Sequence, residues 1–387
     1  MNNANNTQTS SQNSRKYIVM DIVFYGSSLN YDQGTSNYQE LKKITKWDGR
    51  QYTLVSRYAL RYSLLKTAED LGLWRNAPGT ILERAGEGEK TVIQPSIRSL
   101  LSGEILTYPE FDFFGYLITG TTPQNNREAP VKISHAISMT PYNYDSHFSG
   151  NLGYAKRMVE AGVAEKMDAN LFTVEEHQTY YIYTIVIDIN RIGRSEIYLY
   201  YKDKDIKKEN NILVEEAKDK SRKEINIVEE VNFEVNKLDK LFVIEYSLKD
   251  LNIRQKRIDD LIRAVLNLNR NIKARNESLR PKLLILGIYK NAPYKTLKDR
   301  IILANEFEEI YEEIAKPEDK GVKITRKIVK LERPTFKILG GLPGNPQPQI
   351  LENEETILGN IQEQNNNQNI TQVYIYHTPE IKVYIEN

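Results

Sequence analysis

The chain contains no cysteine among its 387 residues. This absence excludes thiol nucleophiles, disulfides, iron–sulfur clusters and every zinc site that uses thiolate ligands. It also suits a reducing compartment, because disulfide frameworks are typical of secreted proteins. The first residues, MNNANNTQTSSQNS, lack the apolar stretch that a signal peptide requires. We therefore expect a cytoplasmic protein.

Long apolar runs and an excess of one charge are also missing. The run LLILGIY at Leu283 to Tyr289 is far shorter than the roughly 20 residues of a membrane-spanning helix. Lysine and arginine number 53 against 52 acids, which gives a net charge of +1. We therefore expect no membrane contact, and any site for nucleic acid must depend on a local basic cluster.

Histidine is scarce, and recognisable catalytic motifs are absent. The four histidines, His135, His147, His177 and His377, form no HExxH-like pattern, and the loop LGGLPGNP lacks the GK[ST] of a phosphate-binding loop. Nucleophile motifs such as GxSxG and SxxK are missing too. We predict no catalytic residue, no metal and no cofactor. Asp32, after the first strand, is the one acid that keeps an enzymatic alternative open.

The first half of the chain predicts a buried strand, a helix and a large irregular insertion. Residues 1–15 are polar and predict a disordered tail. Lys16 to Tyr25 is β-branched and aromatic, as in a buried strand. A helix is expected from about Thr53, as N-cap, to Leu73, because apolar residues recur at helical spacing. Short strands at Phe111 to Thr119 and Val131 to Met139 are expected within an insertion at about residues 75–175.

The second half of the chain predicts further strands and one long helix. Lys202 to Glu224 alternates in charge and is typical of a solvated helix or a mobile hairpin, with a binding arm as the alternative. The expected strands are Tyr180 to Ile192, paired with Glu196 to Tyr201, then Leu241 to Tyr246, Lys282 to Tyr289 and Val322 to Glu332. The expected helices are Arg254 to Ala274 and Leu303 to Ile314.

This order of elements favours an α+β fold with a ferredoxin-like, RNA-recognition-type core (βαββαβ). We place that core at residues 16–335, with insertions at about 75–175 and 202–235. A linker at 336–371 follows, containing a Gly/Pro loop at Gly340 to Pro348 and a Gln/Asn-rich stretch at Gln362 to Asn369. Residues 372–387 form a last strand, predicted at Gln372 to Ile385.

The start of the first helix carries the most informative basic cluster. Arg57 and Arg61 are four residues apart and project from one helical face. Ser56 lies in the first turn, where free N–H groups and the helix dipole favour an anion. Seven cations lie between Lys42 and Lys66, with Asp48 as the only acid. The cluster indicates a phosphate site, with ordinary surface charge as the alternative.

Two further basic segments admit two interpretations each. Cations from Arg254 to Arg280 either follow a nucleic-acid backbone or solvate the outer face of a helix. In the insertion, basic and aromatic residues alternate from Arg127 to Arg157. Such a mixture suits single-stranded nucleic acid, because cations bind phosphates while rings stack on bases. A loop that packs its aromatic residues onto the domain is the alternative.

Three of these segments carry a resemblance to a known family. SRYALRYSLL at Ser56 to Leu65, after a strand that ends in FYGSSLN, resembles the first-helix motif of the DevR-type backbone subunits of type I-B CRISPR Cascade complexes, members of the RAMP superfamily. APVKISHAISMTPYNYD and LFTVEEHQTYYIYTIVIDINRIG are similar to the family's next two segments. The resemblance covers Arg15 to Gly193 by motif, and Leu241 to Tyr289 by order of elements.

The resemblance implies a modified RNA-recognition fold with thumb and finger lobes. Copies of such a subunit polymerise head to tail along a CRISPR RNA (crRNA) and hold it for pairing with target DNA. The implied partners are crRNA, target DNA through the guide, copies of itself, the large Cascade subunit and the subunit that binds the guide handle. By motif, Ser56, Arg57 and Arg61 face the guide's phosphates, and Val131 to Tyr144 supplies a thumb that displaces a base.

The sequence therefore predicts a crRNA-binding scaffold without a reaction of its own. The predicted RNA-binding residues are Arg50, Ser56, Arg57, Arg61, Arg127, Lys132, Met139, Tyr142, Lys156 and Arg157. Two alternatives remain. One is a guide-dependent RNA endonuclease of the type III backbone kind that uses Asp32. The other is a free-standing nucleic-acid-binding regulator.

Overall fold

The computed structural model describes most of the chain. The described residues are 16–86, 88, 91–121, 123–166, 170–200, 207–208, 211–215, 222–238, 241–290, 295–304, 307–314, 323–330, 333–342, 347–351, 353, 355–359 and 372–386. The predicted disordered tail and the Gln/Asn-rich stretch at 362–369 lie outside them. Within the described ranges, no helix is long and apolar enough to cross a membrane.

The fold is mixed α+β and rich in strands. Helices α1 to α5 span Arg57–Asp70, Ile97–Leu101, Pro109–Phe114, Leu152–Glu160 and Leu251–Leu266. Strands β1 to β14 span Lys16–Ser27, Tyr38–Gln39, Lys43–Thr45, Gln51–Val55, Leu82–Ala85, Val92–Pro95, Tyr116–Ile118, Asn125–Arg127, Val131–Ile133, Ala136–Ser138, Ser146–Asn151, Asn170–Glu175, Gln178–Asp188 and Arg194–Tyr200. Strands β15 to β29 span Lys207–Lys208, Asn211–Glu215, Arg222–Asn226, Val231–Leu238, Leu241–Leu248, Asn269–Ile272, Arg275–Ser278, Leu283–Lys290, Ile301–Leu303, Phe307–Ile314, Lys323–Lys330, Thr335–Leu339, Gln349–Leu351, Gln372–His377 and Lys382–Glu386.

Strand β1 lies at the centre of a nine-stranded sheet. It pairs antiparallel with β13, where Tyr17 lies opposite Asp188, and with β22, where Tyr17 lies opposite Tyr289. The order across the sheet is β27-β28-β22-β1-β13-β10-β4-β3, and β9 also pairs with β13. The predictions of strands at Lys16 to Tyr25 and Lys282 to Tyr289 are confirmed. Their β-branched, apolar sequences suit a position between two neighbouring strands.

Both faces of the central strand are buried. Alternate residues of β1, such as Ile18 and Met20, join a core with Leu64 of α1 and Leu261 of α5. The intervening residues, such as Val19, join a second core. This second core contains Phe336 and Ile338 of β26, which belongs to a separate three-stranded sheet, β23-β26-β29. The helices therefore cover one face of the central sheet, and the small sheet covers the other.

Helix α1 begins later than the sequence pattern indicates. Its N-cap is Ser56, whose hydroxyl accepts the backbone N–H of Ala59 at 3.2 Å. The predicted cap, Thr53, instead lies in β4, where its N–H donates to the hydroxyl of Ser138 at 3.0 Å. Serine and threonine are both good N-caps. Because β4 pairs with β10 up to Val55, Thr53 lies within a strand and Ser56 becomes the N-cap.

Two predicted helices differ from the structure. Helix α5 ends at Leu266, and the stretch to Ala274 enters the hairpin β20–β21, whose turn holds Lys273 and Ala274 at positive φ. The predicted helix at Leu303 to Ile314 was wrong. Residues there form β23 and β24, and β24 pairs antiparallel with β25. In both places antiparallel pairing between consecutive strands overrides local helix propensity.

Several predicted strands also need correction. The strand predicted at Glu196 to Tyr201 corresponds to β14, which pairs with β19 rather than with β13. Phe111 begins no strand, since it lies in α3. Strand β13 ends at Asp188, before a short helical turn at Ile189–Arg191. The predicted last strand is two strands, β28 and β29, in two different sheets.

Candidate nucleic-acid interface

The start of α1 presents an exposed arginine. The backbone N–H of Arg57 donates to Nδ1 of His135 at 2.9 Å, which ties the helix to the chain just before β10. The guanidinium lies 5.0 Å from the ring centre of Tyr58, and its Nη2 donates to the Tyr58 hydroxyl at 3.0 Å. Tyr58 is itself 66% exposed. The charge of Arg57 is therefore oriented but open to solvent, as a phosphate contact requires.

Other cations surround this point. Burial lowers the pKa of His135, and the positive charges of Arg57 and Lys298 lower it further. Burial likewise lowers the pKa of Lys46, with a second contribution from Lys298, although Asp48 and Asp299 partly offset it. These effects place the cations within electrostatic reach of one another. We call Lys46, Arg50, Arg57 and Lys298 the α1 cationic surface.

Lys298 is held in this surface by a buried carboxylate. Asp21 of β1 accepts the hydroxyl of Thr296 and the N–H of Leu297, each at 2.6 Å. It also accepts the hydroxyl of Thr184 of β13 at 2.6 Å. Burial raises the pKa of Asp21, an effect that these hydrogen bonds oppose. Sequence reasoning missed Lys298 because it is far from α1 along the chain, and only the contacts of Asp21 bring the two segments together.

Arg50 and Ser56 each have a local partner. Arg50 is exposed, and its Nε donates to Oδ2 of Asp48 at 2.9 Å. The Arg50 side chain is 63% exposed, whereas that of Asp48 is only 15% exposed. The hydroxyl of Ser56 accepts an N–H as the helix cap, and its backbone N–H donates to the side chain of Asn30 at 2.9 Å. Both contacts of Ser56 are therefore structural and fix the first turn of α1.

Arg61 lies in a different environment from Arg57. Its guanidinium carbon is 4.8 Å from the ring centre of Phe114, and its Nη2 is 3.6 Å from Oε1 of Glu110. Burial is the main effect on its pKa, which is lowered. The helical spacing of the two arginines is as the sequence indicates, but Arg61 faces α3. It is thus a packing residue as well as a cation.

Arg127 requires a correction, because the structure places it in the interior. It is only 8% exposed. Its Nη2 donates to Oδ1 of Asp112 at 2.6 Å and to the carbonyl of Arg191 at 2.9 Å. The fully buried Asp112 also binds Arg257 at 2.5 Å. A guanidinium saturated by protein acceptors cannot bind RNA, so Arg127 is a structural cation that joins the insertion to α5 and the core.

The predicted thumb segment divides into core and surface parts. Val131 and Ala136 are buried in β9 and β10, so the first part belongs to the central sheet. Lys132 is exposed on β9, with Nζ 2.6 Å from Glu128, and Met139 packs against the second core. Only the stretch beyond Met139 leaves the sheet.

Tyr142 is fixed at the point where the chain leaves the sheet. The ring of Tyr142 lies 4.8 Å from Nζ of Lys43 and 5.6 Å from the ring of His177. Burial raises the pKa of Tyr142 to about 12. The ring of His177 is held by the hydroxyl of Thr53, 2.7 Å from Nδ1. The ammonium of Lys43 is itself held by the buried Glu175, 2.5 Å from Oε2. Tyr142 is therefore a ring fixed in place by its neighbours.

Strands β11 and β12 and helix α4 form a lobe at residues 146–175. Its base is held by Glu175, which accepts the N–H of Leu41 at 2.7 Å and the hydroxyl of Tyr38 at 3.0 Å. In α4, Lys156 lies 3.7 Å from Glu160, and Arg157 lies 4.8 Å from the ring centre of Tyr154. The exposed apolar residues of the lobe are Phe148, Leu152, Tyr154, Met158, Val159, Val163, Leu171 and Phe172. The lobe therefore exposes several large apolar side chains to solvent.

Asp32 lies in the loop after β1, as the sequence indicates. Its carboxylate is exposed, with Oδ1 3.3 Å from Nζ of Lys42. It also accepts the N–H of Gln33 at 3.0 Å, which contributes most to lowering its pKa. Over the described residues, no group of three or more acidic, histidine or cysteine side chains is arranged to hold a metal ion.

The chain is a CRISPR-associated protein by sequence. Residues 18–310 match the family described as "CRISPR-associated negative auto-regulator DevR/Csa2". The match covers more than half of the chain, and the chain belongs to the DevR/Csa2 family. No curated protein matches it.

Three solved structures that contain a similar chain are CRISPR complexes. A chain of a "CRISPR RNA-guided surveillance complex, pre-nicking" is 9% identical over 70% of this chain and 78% of its own, with a TM-score of 0.37. A chain of a "CRISPR RNA-guided surveillance complex" is 10% identical over 70% and 68%, with a TM-score of 0.33. A chain of a "Type IV-B CRISPR Complex" is 14% identical over 44% and 72%, with a TM-score of 0.25. TM-scores below 0.5 do not establish a shared fold.

Proposed function

We propose that this protein is a crRNA-binding backbone subunit of a type I-B Cascade complex and catalyses no reaction. The observation that carries the proposal is the α1 cationic surface, in a chain whose net charge is only +1. Cations gathered at one helix start in a nearly neutral protein indicate a local polyanion site. Because the chain belongs to the CRISPR-associated DevR/Csa2 family, we take this polyanion to be guide RNA.

The topology of the central sheet supports a ferredoxin-like core for this subunit. Along the chain, β1, α1, β10, β13, α5 and β22 follow in the order βαββαβ. Across the sheet, these strands lie in the order β22-β1-β13-β10, with every neighbouring pair antiparallel. The residues between α1 and β9, the lobe at 146–175 and residues at about 202–235 would then be insertions into that core, and the lobe would be its thumb.

The proposed RNA path starts at the α1 cationic surface. Arg57, Lys46 and Lys298 would bind phosphates, because each is a cation near the helix start. Tyr142 would continue the path beside β10, where its ring can contact a base. Lys43, which is bound to the buried Glu175, would have no part in the path. Lys132, Lys156 and Arg157 are exposed and would serve as outer contacts, whereas Arg127 has no part in the path.

Assembly is the second part of the proposal. The exposed apolar residues of the lobe at 146–175 would pack against the next copy on the guide. A contact between two different surfaces of identical subunits repeats without closing and builds a helical filament. The RNA length would then set the number of copies. Target DNA would join through the guide, and the large subunit and the handle-binding subunit would cap the filament.

Binding of fluorescein-labelled single-stranded RNA, followed by anisotropy over a range of salt concentrations, tests the proposal. RNAs of unrelated sequence should bind equally, and Arg57→Ala should weaken all of them and reduce the slope of log K against log salt by about 0.7. Lys66→Ala is the matched control, since Lys66 is exposed on the same helix and paired with Asp70. An equal effect of both substitutions, or no binding by the wild-type protein, contradicts the proposal.

A sequence-specific regulator is the second candidate function. The description of the matched family names negative auto-regulation, which favours it. A regulator would bind one duplex DNA site as a defined monomer or dimer, with affinity that falls when bases of that site change. Equal binding to unrelated single-stranded RNAs distinguishes the scaffold from this alternative.

A further inference from the structure

A fully exposed tryptophan stands at the tip of the hairpin β3–β4. Trp47 is 97% exposed, whereas the second tryptophan of the chain, Trp74, is 8% exposed and packs on Phe113. Tryptophan is large and apolar, and it rarely remains in solvent without a partner. Tryptophans that do so are enriched at binding surfaces.

The turn that carries Trp47 is firmly built. The N–H of Gly49 donates to the carbonyl of Lys46 at 3.0 Å, and Gly49 adopts a φ of 73° that favours glycine. Asp48 accepts the N–H of Arg50 at 3.0 Å and the hydroxyl of Tyr52 at 2.7 Å. These contacts fix both neighbours of Trp47, so its ring is presented on an ordered backbone. A presented ring loses little conformational entropy when it binds.

One cation, Lys46, precedes the tryptophan, and a second, Arg50, follows the acidic Asp48 with which it is paired. Nζ of Lys46 lies 4.0 Å from the ring centre of Tyr52. The exposed Arg50 follows three residues after Trp47, and the same positive surface continues to Lys298. An apolar protein surface would gain nothing from these charges, whereas a nucleic acid offers both a base to stack and phosphates on either side. The surroundings therefore favour nucleic acid over a protein partner.

We propose that Trp47 stacks on one unpaired base of single-stranded RNA, while Lys46 and Arg50 bind the adjoining phosphates. The inference rests on the proposed function for the presence of RNA. It goes beyond the proposed function in assigning a base-stacking site to the tip of the β3–β4 hairpin. Stacking tolerates any base, because every base has an aromatic face.

Intrinsic tryptophan fluorescence tests this site directly, because the chain has only two tryptophans. Titration of the full chain with a uridine homopolymer should quench the emission of the exposed Trp47. A matched RNA of abasic residues has the same charge and should bind more weakly without quenching. Trp47→Phe should remove the quenching and retain most of the affinity, since phenylalanine also stacks. Trp47→Ala should weaken uridine binding roughly ten-fold and leave abasic binding unchanged.

Two controls separate stacking from other roles. Tyr200→Ala removes another exposed ring, 57% accessible on β14, and should change neither quenching nor affinity. The melting temperature of Trp47→Ala should equal that of the wild-type protein, because the side chain is solvated.

Three results would overturn the inference. In the first, Trp47→Ala binds RNA normally while Arg57→Ala weakens it, and the proposed function then stands alone. In the second, no RNA binds, which removes the proposed function as well. In the third, Trp47→Ala changes the oligomeric state without RNA, which assigns the hairpin to a protein contact.

Discussion

Nδ1 of His135 accepts the backbone N–H of Arg57, 2.9 Å away, and so links the chain before β10 to the first turn of α1. Only a ring that is unprotonated at Nδ1 can accept this bond. Burial, and then the charges of Arg57 and Lys298, lower the pKa of His135. The geometry of the α1 cationic surface is thus coupled to one titrating group.

We expect the protein to lose stability as the pH falls below about 6.5, the unfolded-state pKa of histidine. The folded-state pKa of His135 is depressed, so the unfolded chain takes up the proton first. The stabilisation is therefore present above the unfolded pKa and is lost as the pH falls through the folded one. Burial lowers the pKa of His177 and adds to the effect in the same direction. Urea unfolding between pH 8 and 5 measures it.

His135→Gln should reduce this pH dependence, because the amide oxygen can accept the N–H of Arg57 but cannot take up a proton. His147→Gln, at an exposed position, is the matched control and should leave the dependence unchanged. The same curve for His135→Gln and the wild-type protein would show that protonation of His135 does not control the stability.

Arg57 and Arg61 should differ in stability measurements although both lie on α1. Arg61→Ala removes a side chain packed over Phe114 near Glu110, and we expect a loss of about 1 kcal/mol in the free energy of unfolding. Arg57→Ala removes an exposed side chain and should change it little. Chemical denaturation of both variants decides the matter. A larger loss for Arg57→Ala would contradict the assignment of Arg61 to packing.

The buried ion pairs of Asp112 with Arg127 and Arg257 should be the part of the junction between insertion and core where a substitution lowers stability most. Asp112→Asn deprives Arg127 and Arg257 of their shared carboxylate. Because both guanidinium groups are buried, we expect a loss of about 3–5 kcal/mol in the free energy of unfolding. Arg191→Ala, which breaks an exposed pair with Glu128, should cost about 1 kcal/mol or less. Similar losses for the two variants would mean that these buried ion pairs are not stabilising.

Asp32 should be dispensable for any chemistry. Its carboxylate is paired with Lys42 at the surface, and we expect purified protein to leave single-stranded RNA intact in the presence of divalent metal. Gel analysis of end-labelled RNA, with Asp32→Ala as the comparison, checks this. Metal-dependent cleavage that disappears in Asp32→Ala would support the endonuclease alternative.

Elements whose own composition specifies them could be predicted from the sequence, whereas elements that depend on another segment of the chain could not. Strands β1 and β22 were predicted from composition alone, because buried central strands need β-branched and apolar residues throughout. The hairpin β20–β21 that follows α5 was missed, since its turn at Lys273 and Ala274 uses positive φ without glycine. Segment Phe307–Ile314 was taken for a helix, because nothing local reveals its pairing with Lys323–Lys330.

The same limit applies to the candidate site. Arg57 was identified from its position at a helix start, and its exposure agrees with that role. The burial of Arg127 depends on Asp112 and on carbonyls distant in sequence, so no local pattern indicates it. Lys298 depends on the contacts of Asp21 in the same way. Charge can be read from a sequence, but its accessibility follows from tertiary contacts.

The lobe at 146–175 is the part of the molecule on which assembly depends. Its excision should leave the core intact if the cut spares buried strands. A Gly/Ser linker in place of residues Phe148 to Phe172 keeps β9 and β10, whose Val131 and Ala136 are buried. Closure entropy varies slowly with loop length, so we expect little loss of stability.

Light scattering of the protein with single-stranded RNAs of increasing length tests the central claim most directly. The wild-type protein should form particles whose mass increases in steps with RNA length, because each added stretch of guide binds one more copy. The variant without the lobe should bind RNA but show no such growth. A fixed monomer or dimer at every RNA length would contradict the scaffold account, as would length-matched particles formed by the variant.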